Sequence, residues 1–226
     1  MKEAPEIIQA IGPVERTLQL LLCFQTHPDG LSLTELSHLT NLAPSTTTRL
    51  LKMLERYAFV CRGPDRMYHL GPQIMQLGLS ALSTMSLYEI ARPHLRMLAE
   101  EVGESAQLGV LKGANEVLYV DQISSRRMVH AAMWVGRTVS LDDTAIGSAI
   151  KGQVGTAGYT ATRHTIEPDV SSVAAPLYDK HNLIVGAINV IGPTYRISDE
   201  QLARIGVSVA EHAQLISQQL GATQPF

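Results

Sequence analysis

Residues 31–56 read LSLTELSHLTNLAPSTTTRLLKMLER, which is the pattern of two short helices joined by a turn. In the first half, three leucines recur at helical spacing and are expected to face inward: Leu33, Leu36 and Leu39. The Asn-Leu-Ala-Pro turn at 41–44 ends this helix. Ser45 is expected to cap the second helix, with Pro44 outside it, and the inward residues of that helix are Leu50, Leu51 and Leu54. The stretch therefore predicts a helix-turn-helix.

The second helix begins with a polar run, Ser-Thr-Thr-Thr-Arg at 45–49. Threonine is a mediocre helix former, so helix stability alone does not explain three in succession. Short hydroxyls and free backbone N–H groups can hold phosphate, and the guanidinium of Arg49 can hold phosphate or guanine. The alternative is an ordinary helical hairpin with a polar surface. We favour a DNA-recognition helix because it accounts for the run.

The residues after this helix predict a β-hairpin, or wing, with Arg62 and Arg66 near its tip. Residues 43–66 hold five basic and two acidic side chains, a net charge of +3, whereas residues 1–70 hold seven of each. The positive charge is thus concentrated where DNA would lie. The predicted DNA contacts are Thr34, Ser45, Thr46, Thr47, Thr48, Arg49, Lys52, Arg62 and Arg66.

The composition of the chain is that of an ordinary globular protein. It has 226 residues, 45% hydrophobic and 17% charged, with a net charge of −3, enough for one large or two small domains. No apolar run approaches ~18 residues and the N-terminus lacks a secretory signal, so a cytoplasmic location without a membrane partner is expected. Cys23 and Cys61 suggest neither a disulfide nor a metal site, and the histidines lack metal-binding spacing. We therefore expect no metal, no cofactor and no catalytic residues.

Three segments are predicted along the chain: a winged helix-turn-helix at 1–70, a linker helix at 71–85, and an α+β domain at 86–226. The apolar face of the first helix is expected to comprise Val14, Leu18, Leu21 and Leu22. The third segment begins with a helix at 86–102, kinked or divided at Pro93. Strands follow at 106–111, 117–123, 129–135, 173–178 and 183–192, and a helix from the Ser198 cap to residue 220 closes the chain. Helices before and after an antiparallel sheet define the α+β class.

These blocks together resemble the IclR-type transcriptional regulators over nearly the whole chain. The resemblance rests on VERTLQLL, the helix-turn-helix stretch, YHLGPQIMQLG, ARPHLRMLAEEVGESAQLGVLKGANEVLYVDQI, VGRTVSLDDTAIGSAI and VSSVAAPLYDKHNLIVGAINVIGP, in this order. It implies a winged helix-turn-helix, a linker helix and a GAF-like domain that binds the effector and oligomerises. It also implies homodimers or dimers of dimers on double-stranded operator DNA, with a small-molecule effector.

The chain departs from the family pattern at four places, one of which is residues 160–164, where Thr-Ala-Thr-Arg-His replaces a common acidic cluster. Ala58 stands where a glycine is usual, which costs free energy if the position needs a positive φ. Ser148 replaces the lysine of a common Thr-Ala-x-Gly-Lys motif. Residues 151–159 directly bridge a gap that several helices usually fill, so the domain is shortened and one wall of the pocket is expected to be thin or open.

The resemblance also implies positions for the effector pocket. These are Met133, Trp134, Val135, Asp143, Thr144, Ala145, Arg163, His164, Ser172, Asn189 and Ile191. The start of the helix after Asp143 could hold a carboxylate through its N–H groups. Trp134 serves equally well as core filling, Arg163 and His164 are slightly better explained as a solvated loop, and a buried Asn189 needs a partner.

The sequence as a whole favours a ligand-responsive DNA-binding regulator whose effector is a small organic acid, with aromatic acids among the candidates. One alternative is a DNA-binding protein whose C-terminal domain only oligomerises and binds no effector. A second alternative is an enzyme with a nucleic-acid-binding appendage, and against it no nucleophile, base and orienting residue recur in a motif.

Overall fold

The computed structural model describes residues 12–83, 85–164 and 168–223. The chain divides into two compact units, residues 1–82 and 83–226. No described helix is both long and apolar enough to cross a membrane. The predicted α+β class, with a helix-turn-helix followed by an antiparallel sheet, is confirmed.

The described residues of the first unit form four α-helices and a two-stranded hairpin. Its elements are α1 (Pro13–Cys23), a short 3-10 turn (Phe24–Thr26), α2 (Leu33–Thr40), α3 (Pro44–Arg56), β1 (Val60–Arg62), β2 (Tyr68–Leu70) and α4 (Pro72–Ser83). Ser32 and Glu35 form a reciprocal cap at the start of α2. Asn41, with φ of 53°, ends that helix in the left-handed region.

The predicted start of α3 is wrong by two residues. Ala43 is the residue that precedes the helix, and Pro44 is its first residue, so Ser45 does not cap it. Proline fits the first helical position because its fixed φ is already helical and the N–H it lacks would have no partner inside the helix.

The core of the first unit confirms part of the predicted inward faces. Its buried residues are Leu20, Phe24, Leu31, Leu36, Leu51, Leu54, Val60 and Tyr68. Leu33 and Leu50 pack against it, whereas Leu39 is exposed. The predicted face of α1 is mostly wrong. Its exposed side chains are Val14, Leu18 and Leu22, because the helix packs through the line of Leu20 and Phe24 instead.

In the second unit, the residues that the structure describes form a six-stranded antiparallel sheet of order β5-β4-β3-β8-β7-β6 with helices on both faces. The strands are β3 (Ser105–Lys112), β4 (Glu116–Ile123), β5 (Thr138–Ser140), β6 (Thr160–Arg163), β7 (Val170–Tyr178) and β8 (Ile184–Pro193). The helices are α5 (Ser86–Val102), α6 (Ala145–Ile150) and α7 (Asp199–Gln219). One face packs against α5 and α7, and the other against α6.

Two strand expectations are corrected. Residues 129–135 form a loop, and the strand beside β4 is β5 at 138–140. The valines and methionine of this loop alternate like a strand, but Val129, Met133 and Val135 are exposed and have no sheet to cover. Residues 160–163, where no strand was predicted, form the edge strand β6. Pro93 lies inside one continuous helix α5 rather than between two.

Candidate DNA interface and effector site

The exposed side of α3 carries a row of polar and basic side chains. Its buried seam is formed by Thr47, Leu51 and Leu54. On the opposite side, positions spaced by four, three and four residues are all exposed: Ser45, Arg49, Lys52 and Arg56. We call these four residues the α3 stripe. Because that spacing follows the helical repeat, the stripe presents three cations along one edge of the helix.

Thr47 is not a DNA contact. Its side chain is fully buried, and its hydroxyl accepts a hydrogen bond from Ser37 Oγ (3.1 Å) across the turn between α2 and α3. It also donates to the carbonyl of Ala43 at 3.2 Å. Thr47 therefore joins the two helices of the motif, and part of the threonine run is explained by packing rather than by docking.

The other predicted hydroxyl contacts remain at the surface. Ser45 and Thr34 are exposed, and Thr46 and Thr48 are half-buried. The hydroxyl of Thr48 donates to the carbonyl of Pro44 at 2.8 Å, which leaves its lone pairs free for a donor. Ser45, Thr46 and Thr48 lie in the first turns of α3, whereas Thr34 lies in the first turn of α2.

The wing holds its two arginines differently. The guanidinium of Arg62 lies over the ring of Tyr68 at 5.4 Å, and its Nε donates to the carbonyl of Arg66 at 3.3 Å. Arg66 itself, with φ of 67°, is exposed at the turn between β1 and β2. The wing is tied to the start of α2 by two backbone hydrogen bonds between Leu31 and Tyr68. The hairpin that carries both arginines is therefore held in place by hydrogen bonds to the segment before α2.

Arg56 was missing from the predicted contacts. It is exposed at the last turn of α3 and extends the row begun by Ser45, Arg49 and Lys52. The signal in the sequence was the helical spacing of the basic residues, which needs no structure to recognise.

In the second unit, four buried polar side chains form a row on the sheet face that packs against α6. Gln122 Oε1 accepts from Gln107 Nε2 at 2.8 Å, and Gln107 Oε1 accepts from Asn189 Nδ2 at 3.0 Å. Asn189 Nδ2 also donates to Ser172 Oγ at 3.2 Å. We call Gln122, Gln107, Asn189 and Ser172 the amide row. Ile191 is buried opposite Ser172 in the neighbouring strand.

Gln107 and Gln122 were also missed by the sequence reasoning. Each stands in a strand among apolar residues, as Asn189 does, and each is buried. A lone amide in an apolar strand must find a partner, and that was the available signal.

Trp134 lies at the border of this face. Its ring meets that of Tyr119 edge-on, with centroids 5.9 Å apart, and its backbone N–H donates to Gln122 Oε1 at 3.1 Å. The guanidinium of Arg137 lies 5.7 Å from its ring centre. Burial raises the pKa of the Tyr119 phenol, so that group is neutral at physiological pH. Met133 and Val135 flank the tryptophan and are exposed.

The start of α6 is already occupied in part. The Thr144 hydroxyl accepts the N–H of Gly147 at 3.1 Å and donates to the carbonyl of Ser140 at 2.9 Å. Asp143 is exposed in the left-handed region, and Ala145 is buried in the core of this face. The helix has only six residues, so its N–H groups are a poor carboxylate site, contrary to expectation.

Arg163 does not join the amide row. Its strand position faces Ser171, on the α5–α7 side of the sheet, and its guanidinium donates to Ser171 Oγ (3.2 Å) and Asp199 Oδ1 (2.8 Å). His164 is exposed and its Nδ1 contacts the carbonyl of Pro168. Both residues lie on the edge strand or beyond it, away from Asn189. Their assignment to the pocket is therefore wrong. Among the described residues, no cluster of three metal-ligating side chains occurs.

Two sequence profiles match most of the chain. The profile "IclR helix-turn-helix domain" matches residues 13–63, and "Bacterial transcriptional regulator IclR C-terminal" matches residues 79–152 and 152–218. The second match breaks at residue 152, in the place where the sequence predicts a shortened segment.

Individual relatives agree with these matches. The regulator BhcR of Paracoccus denitrificans is 28% identical over 92% of this chain and 86% of its own, and the transcriptional repressor IclR of Escherichia coli is 25% identical over 96% and 93%. The structure of an IclR homologue from Microbacterium hydrocarbonoxydans, complexed with 4-hydroxybenzoate, aligns with a TM-score of 0.79 at 20% identity, over 92% of this chain and 99% of that one. The chain belongs to the IclR family of DNA-binding transcriptional regulators, and the relatives in this family are regulators rather than enzymes.

Proposed function

We propose that this regulator binds a specific operator through the α3 stripe and the wing, and that a small organic acid bound in the second unit changes its affinity for that operator. The observation that carries the DNA assignment is the α3 stripe, three exposed cations and a serine directly opposite the buried seam of the helix-turn-helix. The names of relatives such as the E. coli repressor support repression as the outcome of binding.

The residues of this surface are assigned two kinds of contact. Arg49, in the second turn of α3, is placed to read a base edge in the major groove, since the N-terminal part of a recognition helix contacts bases. Ser45, Thr46 and Thr48 position the helix on phosphate. Lys52, Arg56, Arg62 and Arg66 supply the positive charge that holds the backbone of both strands.

Selection of bound sequences from a random DNA pool, at fixed salt, tests the assignment. The natural chain is expected to enrich a palindrome or a pair of half-sites. Arg49→Ala should weaken binding to that sequence and relax one position by ~1–3 kcal/mol. Arg62→Ala and Arg66→Ala should each weaken all sequences alike and lower the salt slope by about one.

Arg126→Ala is the matched control because Arg126 is an exposed arginine of the second unit, paired with Glu100. It should leave affinity and salt slope unchanged. Normal binding by the α3 and wing variants would refute the assigned surface.

The effector proposal rests on the amide row and the aromatic pair beside it. The amide row provides buried hydrogen-bonding groups, and Trp134 and Tyr119 beside it provide an aromatic surface. Together these features suit small aromatic or aliphatic acids. The cation beside Trp134 is Arg137, which replaces Arg163 as the candidate partner for a carboxylate. The related structure that holds 4-hydroxybenzoate supports the same class of ligand.

One observation favours a second candidate, a C-terminal unit that oligomerises and binds no effector. Asn189 and Ser172 are almost wholly buried, so a ligand reaches them only if the covering loop or α6 moves. A screen of small acids against the operator complex separates the two. Release or tightening of DNA by an acid supports an effector site, and unchanged DNA affinity with every acid and with neutral analogues supports the oligomerisation unit alone.

We propose in addition that the chain acts as a homodimer, or as a dimer of dimers, through the first unit. The exposed side of α1 carries Val14, Leu18 and Leu22, and α4 exposes Met75, Leu77 and Leu79. Apolar faces of this extent on short helices are typical of surfaces that bind another protein. A second copy of the chain is the occupant that a partly palindromic operator calls for, because operator symmetry mirrors protein symmetry.

A further inference from the structure

We propose that the effector donates a hydrogen bond to Asn189 Oδ1, so that the site selects compounds with an O–H or N–H group over otherwise similar compounds that only accept. This inference rests on the proposed effector function and specifies its ligand: a small hydroxylated acid. The amide row begins beside the loop that precedes β5 and continues inward to Asn189.

The backbone fixes the orientation of Gln122. Its Oε1 accepts from the N–H of Trp134 at 3.1 Å, and its Nε2 donates to the carbonyl of Ala132 at 3.1 Å. A backbone N–H can only donate and a backbone carbonyl can only accept. Rotating the amide by 180° would therefore replace both hydrogen bonds by repulsive contacts, and the side chain has a single acceptable orientation.

That orientation passes along the row. Because Gln122 presents Oε1 to Gln107, Gln107 must donate through Nε2, and its own Oε1 then faces Asn189. Asn189 must in turn present Nδ2, which donates to Gln107 Oε1 and to Ser172 Oγ. Each amide is thus set by the one before it, across three strands of the sheet.

The consequence is an acceptor without a donor. Asn189 is fully buried, and no donor among the described residues reaches its Oδ1. Both amide hydrogens are already used, so the side chain cannot relieve this by turning over. Native proteins rarely leave such an atom unsatisfied, because a buried acceptor loses its water without compensation. The atom is therefore a candidate ligand contact rather than a structural one.

The surroundings of Asn189 restrict the ligand to a small molecule. On the same face, Ala174 lies opposite it and Ala187 lies two residues before it, so two of its neighbours carry only a methyl group. Trp134 and Tyr119 belong to the same cluster and offer an aromatic surface. A hydroxyl on a compact carbon skeleton, aromatic or aliphatic, would meet these buried neighbours once the covering loop or α6 moves.

Matched compounds test the requirement on the full chain. Thermal melting and calorimetry would compare 4-hydroxybenzoate with 4-methoxybenzoate and with benzoate, and lactate with pyruvate. Within each set the parent ring or three-carbon chain and the carboxylate are kept, and the O–H donor is removed by methylation, by loss of the oxygen, or by oxidation to a ketone. The hydroxylated member is expected to bind at least about tenfold more tightly, since an unsatisfied buried acceptor is left in the other complexes. Which set responds identifies the phenolic or the aliphatic class.

Variants locate the preference. Asn189→Leu and the smaller Asn189→Ala should abolish the discrimination between hydroxylated and non-hydroxylated partners. Ser171→Ala is the matched control, because Ser171 is a buried serine next to Ser172 whose side chain faces the opposite side of the sheet. It should keep the full discrimination. The compound comparison with the natural chain stands even if an Asn189 variant does not fold.

The outcomes separate this inference from the proposed function. Equal affinity within each set, or a preference that survives in the Asn189 variants, overturns the donor requirement while effector binding stands. If none of these acids binds and none changes operator affinity, the donor requirement and the organic-acid effector fail together.

Discussion

Single residues in the helix-turn-helix show how one residue type can serve different purposes within one turn. Thr47 is buried and receives a hydrogen bond from Ser37, whereas its neighbours Thr46 and Thr48 reach the surface.

Ala58 stands in the left-handed region, with φ of 57°, between α3 and β1. Its carbonyl accepts from the N–H of Gln73, and Gly71 lies against it. A strained alanine therefore lies before the wing and contacts the residues that join the wing to α4.

Ala58→Gly is expected to stabilise the protein. An L-residue in the left-handed region costs about 1–2 kcal/mol, and glycine removes most of this strain. Glycine also loses more conformational entropy when the chain folds, which costs about 0.5–1 kcal/mol. The expected gain in the free energy of unfolding is about 0.5–1 kcal/mol, measured by urea denaturation. A lower free energy of unfolding for this variant would mean that the alanine methyl makes contacts worth more than the strain.

Gly71→Ala should have the opposite effect. A Cβ at this position would lie 2.2 Å from the carbonyl oxygen of Ala58, which is backbone and cannot move aside cheaply. Crowding of this kind costs about 1–3 kcal/mol. Gly78→Ala, within the helix α4 that follows Gly71, is the control because a Cβ there meets no atom within 4 Å. A Gly71→Ala variant as stable as the Gly78→Ala variant would contradict the close approach.

Pairs of elements are joined by polar contacts that their own sequences do not specify. Helices α5 and α7 pack through aliphatic side chains, but a histidine pair lies between them, with His94 Nδ1 and His212 Nδ1 3.2 Å apart. Gln219 Nε2 contacts His94 Nε2 at 3.0 Å, and Glu101 Oε2 lies 3.5 Å from His212 Nε2. Because the amide nitrogen of Gln219 can only donate, His94 Nε2 accepts and His94 is neutral. His94 then donates from Nδ1 to His212 Nδ1, and His212 Nε2 faces the carboxylate of Glu101.

His94 makes stability depend on pH. Burial, and next the charge of His212, hold the pKa of His94 below its ordinary value. As the pH falls, the unfolded chain therefore takes up the proton before the folded chain does. The contribution of His94 to the free energy of unfolding is therefore at its full value above about pH 6.5, the ordinary histidine pKa. It is lost as the pH falls from there through the lower pKa of the folded state.

His94→Gln should flatten that dependence between pH 7.5 and pH 5. The change in urea midpoint across this range is the measurement, and it should be smaller in the variant than in the natural chain. His181→Gln, at an exposed histidine, should leave the change as it is. Identical pH profiles for the natural chain and the His94 variant would exclude His94 as the group responsible.

The whole molecule is expected to depend on its partner copy. Leu18→Glu places a charge in the middle of the exposed α1 face, where the leucine side chain is 54% exposed. In a monomer this substitution would cost little, since surface changes are usually within about ±0.5 kcal/mol. In the proposed dimer it should lower the molar mass measured by sedimentation equilibrium, and it should also weaken binding to an operator with two half-sites.

Leu183→Glu is the matched control for that experiment. Leu183 is 63% exposed in the turn between β7 and β8 of the second unit. It should leave both mass and operator binding unchanged. An unchanged mass for the Leu18 variant would exclude the α1 face from the dimer interface.

The sequence by itself determined the local elements and the family. Helix spacing, turn residues and caps are short-range signals, so the helix-turn-helix, the wing, four of the strands and the Ser198 cap of α7 could be read directly. Only the tertiary structure decided which side chains meet. Gln107 finds Asn189 across 82 residues of chain, and Arg163 finds Asp199 on the other face of the sheet. Residues far apart in sequence leave no periodic signal, so the amide row and the burial of Thr47 emerged only when strands and helices were packed.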